Sequence, residues 1–289
     1  MKNVYRIAGC GVFAALLWSS FVQAEPAAPA PIEAPELFAP GVISGPGGDG
    51  SPTFTPDGNT LYFTRSSATW SVILESHRLR DQWSAPQVAP FSGEWSDSSP
   101  GMAPDGSYLV FVSTRPKDPS APAAKSVANL YRVNRQATGW SAPERLPDAV
   151  NIGPSIWKPS MASDGTIYFV SIDGKGHKRL YSSAQKDGTY QPARPLSFSD
   201  GKTDDVDPEI APDGSFLMFA SAGRLKADPK EHLFIALKTG GGWGPVRQIR
   251  YVGDDRTNNA DNEPHLAPDH TTMYFSSDRS MPVAFPRTR

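Results

Sequence analysis

One phrase recurs five times in this chain, and a repeat of fixed period narrows the fold before any single residue does. It reads Ser51-Pro-Thr-Phe-Thr-Pro-Asp57-Gly, Ser99-Pro-Gly-Met-Ala-Pro-Asp105-Gly, Lys158-Pro-Ser-Met-Ala-Ser-Asp164-Gly, Asp207-Pro-Glu-Ile-Ala-Pro-Asp213-Gly and Glu263-Pro-His-Leu-Ala-Pro-Asp269-His. The leading prolines, Pro52, Pro100, Pro159, Pro208 and Pro264, stand 48, 59, 49 and 56 residues apart. That is too long for helical hairpins and suits four-stranded blades, so the expected fold is all-β, a single propeller of five blades beginning near residues 51, 99, 158, 207 and 263.

Each blade can be spelled out. Pro-Asp-Gly supplies a preset φ, a side chain that bonds its own backbone and a residue tolerant of positive φ, which together close a tight hairpin. An apolar run follows, as Leu61-Tyr-Phe63, Leu109-Val-Phe111, Ile167-Tyr-Phe169, Leu217-Met-Phe219 and Met273-Tyr-Phe275. Without polar alternation both of its faces are buried, as in a sheet stacked between two others. A third strand is expected at Ser71–Leu74, Leu130–Val133, Leu180–Ser183 and Leu233–Ala236. An aromatic and a proline then lead into the outer strand at Trp83/Pro86, Trp140/Pro143, Tyr190/Pro192 and Trp243/Pro245. Recurrence of the aromatic at one structural position favours packing over a ligand platform.

Ala34-Pro35-Glu36-Leu37 echoes Ala142-Pro143-Glu144-Arg145-Leu146, which places the amino-terminal segment as the outer strand of the fifth blade, closing the ring and removing its free edges. The third strand of that blade is expected at Val283-Ala-Phe285, between Pro282 and Pro286, or else to be missing, leaving an edge for a partner.

The amino terminus reads as an export signal. Lys2 and Arg6 precede an apolar stretch from Ile7 to Val22, and Val22-Gln23-Ala24 offers a small-x-small cut. The expected organisation is a signal peptide over 1–24, a Pro/Ala-rich linker over 25–35 and the propeller over 36–289, in the periplasm or secreted. Ile7-Ala8-Gly9-Cys10 has the look of a lipoprotein box, but most of the apolar run lies after Cys10, so a cysteine within a signal helix is the better reading. Cutting after Ala24 leaves no cysteine and hence no disulfide. No later segment is apolar for long enough to span a membrane. A net charge of -2 with both signs interspersed excludes a broad nucleic-acid footprint.

The repeats resemble the WD40-like β-propeller repeats of the TolB-like family, whose pattern is x-Pro-x-apolar-x-Pro-Asp-Gly followed by an apolar-aromatic-Phe strand. The resemblance covers about Pro35 to Arg279. It implies the propeller fold; TolB itself, a periplasmic partner of envelope lipoproteins, resembles this chain only in the propeller. The separate α/β domain of TolB has no counterpart in the repeat region. Prolyl-oligopeptidase-type enzymes carry similar propellers beside a hydrolase domain, but this sequence contains no Gly-x-Ser-x-Gly elbow, so a serine peptidase is not expected.

Loops entering the first strand of each blade are expected to open on the channel mouth. Three residues before the repeat proline stand Asp49, Asp97, Asp205 and Asp261, with Ile156 in the third blade. They either cap their own turns, or share a hard cation such as calcium, which takes about six to eight oxygens, or work as a carboxylate pair on a glycan. The candidate metal set is Asp97, Asp205 and Asp261. The candidate ligand-binding set adds Trp157, Lys158, Asp207, Glu209, Glu263 and His265. Arg65, Arg115, Arg224 and Arg279, each shortly after a strand-two Phe, read as structural ion-pair partners. No histidine spacing for catalytic zinc appears. A propeller does not fix a function. The favoured expectation is a non-catalytic scaffold or receptor for an envelope protein, a peptide or a glycan, without a cofactor unless calcium binds. The alternative is a carbohydrate-active hydrolase or lyase using channel carboxylates.

Overall fold

The computed structural model describes residues 2–8, 33–117, 127–225, 228–253 and 259–279. Five antiparallel sheets of the same plan are arranged as blades. The first four are formed in chain order. Blade one pairs Gly48–Phe54, Thr60–Ser66, Ser71–Leu79 and Gln87–Val88. Blade two pairs Asp97–Met102, Tyr108–Ser113, Asn129–Asn134 and Glu144–Arg145. Blade three pairs Ile156–Met161, Ile167–Ile172, Lys178–Ser183 and Arg194–Pro195. Blade four pairs Asp204–Ile210, Phe216–Ala222, Glu231–Thr239 and Arg247–Gln248.

Blade five is built from both ends of the chain. Asp261–Leu266 and Met273–Ser277 supply its first two strands, Asn3–Ile7 the third and Glu36–Leu37 the fourth. Closure by the segment after Pro35 is therefore as expected. The third strand corrects the sequence reading: it comes from residues assigned to the signal peptide, in full register from Asn3 opposite Ser277 to Ile7 opposite Met273. The physical reason is side-chain pattern. Val4, Tyr5 and Ile7 are buried, and Tyr5 takes the place opposite Phe275 that Leu74, Tyr131, Tyr181 and Phe234 take opposite the equivalent Phe of the other blades. Val283–Phe285, the apolar stretch from residue 9, Cys10 and the Ala24 cut all lie outside the described residues.

The hairpin chemistry is uniform. In each Pro-Asp-Gly turn the aspartate Oδ1 accepts the backbone N–H two residues on, as in Asn59 to Asp57 at 3.0 Å and Ser215 to Asp213 at 2.9 Å. The fifth turn has His270 where the others have glycine, and its φ is 56°, a conformation that a side chain other than Gly adopts at a cost. The aromatics that precede the outer strands pack against the neighbouring blade, as expected: Trp140 Nε1 donates to the Tyr62 hydroxyl at 3.2 Å, and Trp243 meets Tyr168 edge-on at 6.2 Å. Among the described residues no helix is long and apolar enough to cross a membrane.

Candidate functional site

Proline in the middle of an inner strand breaks the ladder, because it brings no N–H. In all five blades the register shifts at this point. The residue before it, Ser51, Ser99, Lys158, Asp207 or Glu263, sits in the left-handed region at φ 49–54°. Five strained non-glycine positions at one place in a repeat are a bulge built into the fold. These residues and those just after the prolines meet across the blade boundaries around the channel. Glu263 takes the backbone N–H and the hydroxyl of Ser51 at 3.0 and 2.7 Å and the Ser276 hydroxyl at 2.6 Å. Asp207 Oδ2 accepts the N–H of Glu263 at 3.3 Å. The approach of Glu263 to blade one requires Gly50, since a Cβ there would lie 2.3 Å from Glu263 Oε2.

The residue after each proline works between blades. Thr53 Oγ1 accepts the N–H of Met102 at 3.1 Å, Ser160 Oγ that of Ile210 at 3.0 Å and Glu209 Oε1 that of Leu266 at 3.2 Å. His265, the equivalent residue of blade five, stacks on Phe54 of blade one at 5.8 Å. Gly101, its counterpart in blade two, leaves no room for a side chain, since a Cβ would lie 2.4 Å from the Pro159 carbonyl oxygen. Below this layer, where the Pro-Asp-Gly turns gather, lies a cavity of about 530 Å³. Its wall includes Lys158, Glu209 and His265 from the expected set, with Thr53, Ser160, Phe54, Met102 and Leu266.

The charges of this inner layer are interdependent. His265 Nδ1 is 2.9 Å from Glu209 Oε1, and the Ser160 hydroxyl donates to Oε2 at 3.0 Å. Burial opposes ionisation of Glu209, but His265, Lys158 and the Leu266 amide together hold its carboxyl below the ordinary range. Burial and the charge of Glu263 push Asp207 up to about 7, against the pull of Lys158. Burial also opposes the charge on Glu263, yet Lys158, Lys2 and the serine hydroxyls keep that carboxyl low.

The other expected residues sit elsewhere. Asp97, Asp205 and Asp261 are not brought together; each is buried in its own blade against an arginine, at 3.1 Å for Arg115, 2.6 Å for Arg224 and 2.9 Å for Arg279. Asp49 pairs with Arg65 in the same way at 2.6 Å. Each arginine also lies 5.2–5.6 Å over the strand-two Phe of its blade. In blade three Ile156 replaces the aspartate and joins an apolar cluster with Phe169. Trp157 is half-buried between the clusters of neighbouring blades. Among the described residues no three His, Cys, Asp or Glu side chains form a group that could hold a metal ion. Ser51, Thr53 and Ser160 join the site without any chemical signature in the sequence beyond their fixed offset from the repeat proline.

No family model and no curated protein matches the chain. Solved structures do. TolB from Acinetobacter baumannii superposes with a TM-score of 0.52 at 14% identity over 96% of this chain and 64% of that one. A putative TolB from Agrobacterium tumefaciens gives 0.50 at 14% identity, over 98% and 99%. A thermostable family-43 glycoside hydrolase gives 0.51 at 14% identity, over 80% and 84%. The fold is a TolB-like propeller. This chain spans about two thirds of the A. baumannii TolB and nearly the whole of the A. tumefaciens chain. Identities this low establish a shared TolB-like architecture and leave the chemistry of the channel to be argued from its own residues.

Proposed function

We propose that this chain is an exported, non-catalytic receptor that holds a peptide or protein segment in the funnel at its Pro-Asp-Gly face. One observation carries the reading: the inner carboxylates are engaged in joining blades. Glu209 takes the Ser160 hydroxyl and the Leu266 amide, and Glu263 takes Ser51 and Ser276. A binding wall needs only fixed shape and charge, whereas an acid–base pair needs open approach to a reacting atom. The funnel sets apolar Phe54, Met102 and Leu266 beside Lys158, Glu209 and His265, a mixture suited to a polypeptide. The basic start, apolar stretch and Ala24 cut support export, and the likeness to TolB structures supports a scaffold.

A photo-crosslinking residue at Met102, in the funnel, tests this against one at exposed Leu79. The expected result is a discrete adduct with an envelope protein from Met102 alone. Identical adducts from both sites, or none from Met102, would reject the funnel as the binding face.

A second reading rests on the divergence of Asp207 and Glu263, one carboxyl pushed up and the other held low, which is how an acid and a base are distinguished. The family-43 glycoside hydrolase shares the fold. Turnover of an oligosaccharide that disappears in both Asp207→Asn and Glu263→Gln would establish this reading in place of the first.

A further inference from the structure

The strand Asn3–Ile7 belongs to two incompatible structures. It is the third strand of blade five, and it lies in the stretch that export would remove. Its hold on the blade is extensive. Five residues pair with Met273–Ser277, and among the described residues Glu36–Leu37 pairs with the sheet through Tyr5 and Arg6. Tyr5 stacks on Phe275 at 5.9 Å and donates to the Arg279 carbonyl at 3.2 Å. The Val4 carbonyl accepts from Phe38 N–H at 2.9 Å and Ser44 Oγ at 3.0 Å, while its N–H donates to the same Ser44 Oγ at 3.2 Å.

From this we infer that the Met273–Ser277 edge is a strand-accepting site for another polypeptide, occupied by Asn3–Ile7 before processing and vacated by it. The inference rests on the export reading above. Processing is hydrolysis of the Ala24–Glu25 peptide bond by a leader peptidase, with water as co-reactant, leaving a carboxylate on Ala24 and an amine on Glu25. The vacated edge then presents unpaired amides and carbonyls beside the exposed ring of Phe275, a template for β-augmentation. What seats there now defines the guest: an extended segment with a β-branched residue at the Val4 position, an aromatic hydroxyl at Tyr5, a polar residue at Arg6 and an aliphatic one at Ile7. Tyr5 and Ile7 join the core shared with blade four, and Val4 the core shared with blade one. The tail run Val283–Phe285 is a poorer match, three residues between two prolines that carry no N–H.

The test uses the chain expressed with its own leader and recovered from the cell, beside an uncut form carrying Ala24→Tyr, which removes the small residue at the cut. The probe is a synthetic peptide spanning Lys2–Ala8. The processed protein should bind it saturably at one site, with a higher Tm, and the uncut protein should not bind it. Those amides of Met273–Ser277 that face Asn3–Ile7 should exchange at least about 100-fold faster in the processed protein and regain protection with the peptide, while those facing Asp261–Leu266 stay protected. A peptide carrying Tyr5→Asp should fail to bind. The uncut chain carrying Tyr5→Asp, whose own strand cannot dock, should bind the unaltered peptide even if the processed protein folds poorly. Full protection in the processed monomer, protection that appears only on dimerisation, or no binding by either open form would overturn the strand site. A recovered protein whose sequenced amino terminus still contains Asn3–Ile7 would instead overturn the proposal through the export reading, which is how the two failures are told apart.

Discussion

Arg224 grips Asp205 with two nitrogens, Nη2 at 2.6 Å from Oδ2 and Nε at 2.8 Å from Oδ1, while the carboxylate itself is wholly buried. The same pair recurs in blades one, two and five, where it ties the start of the inner strand to the end of the second strand. Blade three dispenses with it by placing Ile156 in the core. The pair is thus one of two ways to fill that corner.

Removing Arg224 leaves a buried carboxylate without its counter-ion, held by the hydroxyls of Ser221 and Thr203. Arg224→Leu is expected to destabilise the protein by about 3–5 kcal/mol, whereas Asp205→Ile combined with Arg224→Leu should recover most of the loss, as in blade three. Urea melts of the two variants check this. Equal destabilisation by the single and double changes would show that the apolar solution does not transfer between blades.

Stability should depend on pH through the inner layer. The Asp207 carboxyl is raised from 3.8 to about 7, so its contribution is fully present below about pH 4 and is lost as pH climbs through 7. Glu209 and Glu263 are held low, and their contribution is lost as pH falls below the ordinary glutamate range. Asp207→Asn should therefore raise Tm at pH 8, by an amount that shrinks towards pH 5. A Tm difference that stays constant over this range would contradict the raised Asp207 carboxyl.

Gly101 lies against rigid backbone, the Pro159 carbonyl of blade three. Gly101→Ala should cost about 1–3 kcal/mol through overpacking at the seam between blades two and three. Gly241→Ala, where a Cβ meets nothing within 4 Å, is the matching control. It should leave the denaturation midpoint close to that of the parent.

In the uncut chain, Tyr5→Ala should cost about 3–5 kcal/mol, the range for truncating a buried aromatic. It removes the stack on Phe275 and the hydrogen bond to the Arg279 carbonyl. Tyr5→Phe, which keeps the stack, should lose only about 1 kcal/mol. If Tyr5→Ala melts with the parent, Asn3–Ile7 does not form part of the folded sheet.

The sequence by itself determined the blade count, the hairpin chemistry and the buried second strands, because these depend on residues close together in the chain: a proline, an aspartate and a glycine at fixed offsets, then an apolar run read by both neighbouring sheets. It also placed Glu36–Leu37 as the closing strand, through the echo of the Pro-Glu motif in blade two. Tertiary structure alone decided what is non-local. The arginines read as structural ion-pair partners from their spacing alone, but which carboxylates they hold was decided by the fold: Asp97, Asp205 and Asp261 each lie within reach of an arginine 18 or 19 residues on, and that pairing separates them from one another. The contact of Glu263 with Ser51 across 212 residues depends on ring closure. The origin of the fifth blade's third strand was also hidden, because the charges and apolar residues of 2–7 satisfy a leader and a core strand equally well. Only the position opposite Phe275 distinguishes the two, and that position exists once the ring has closed.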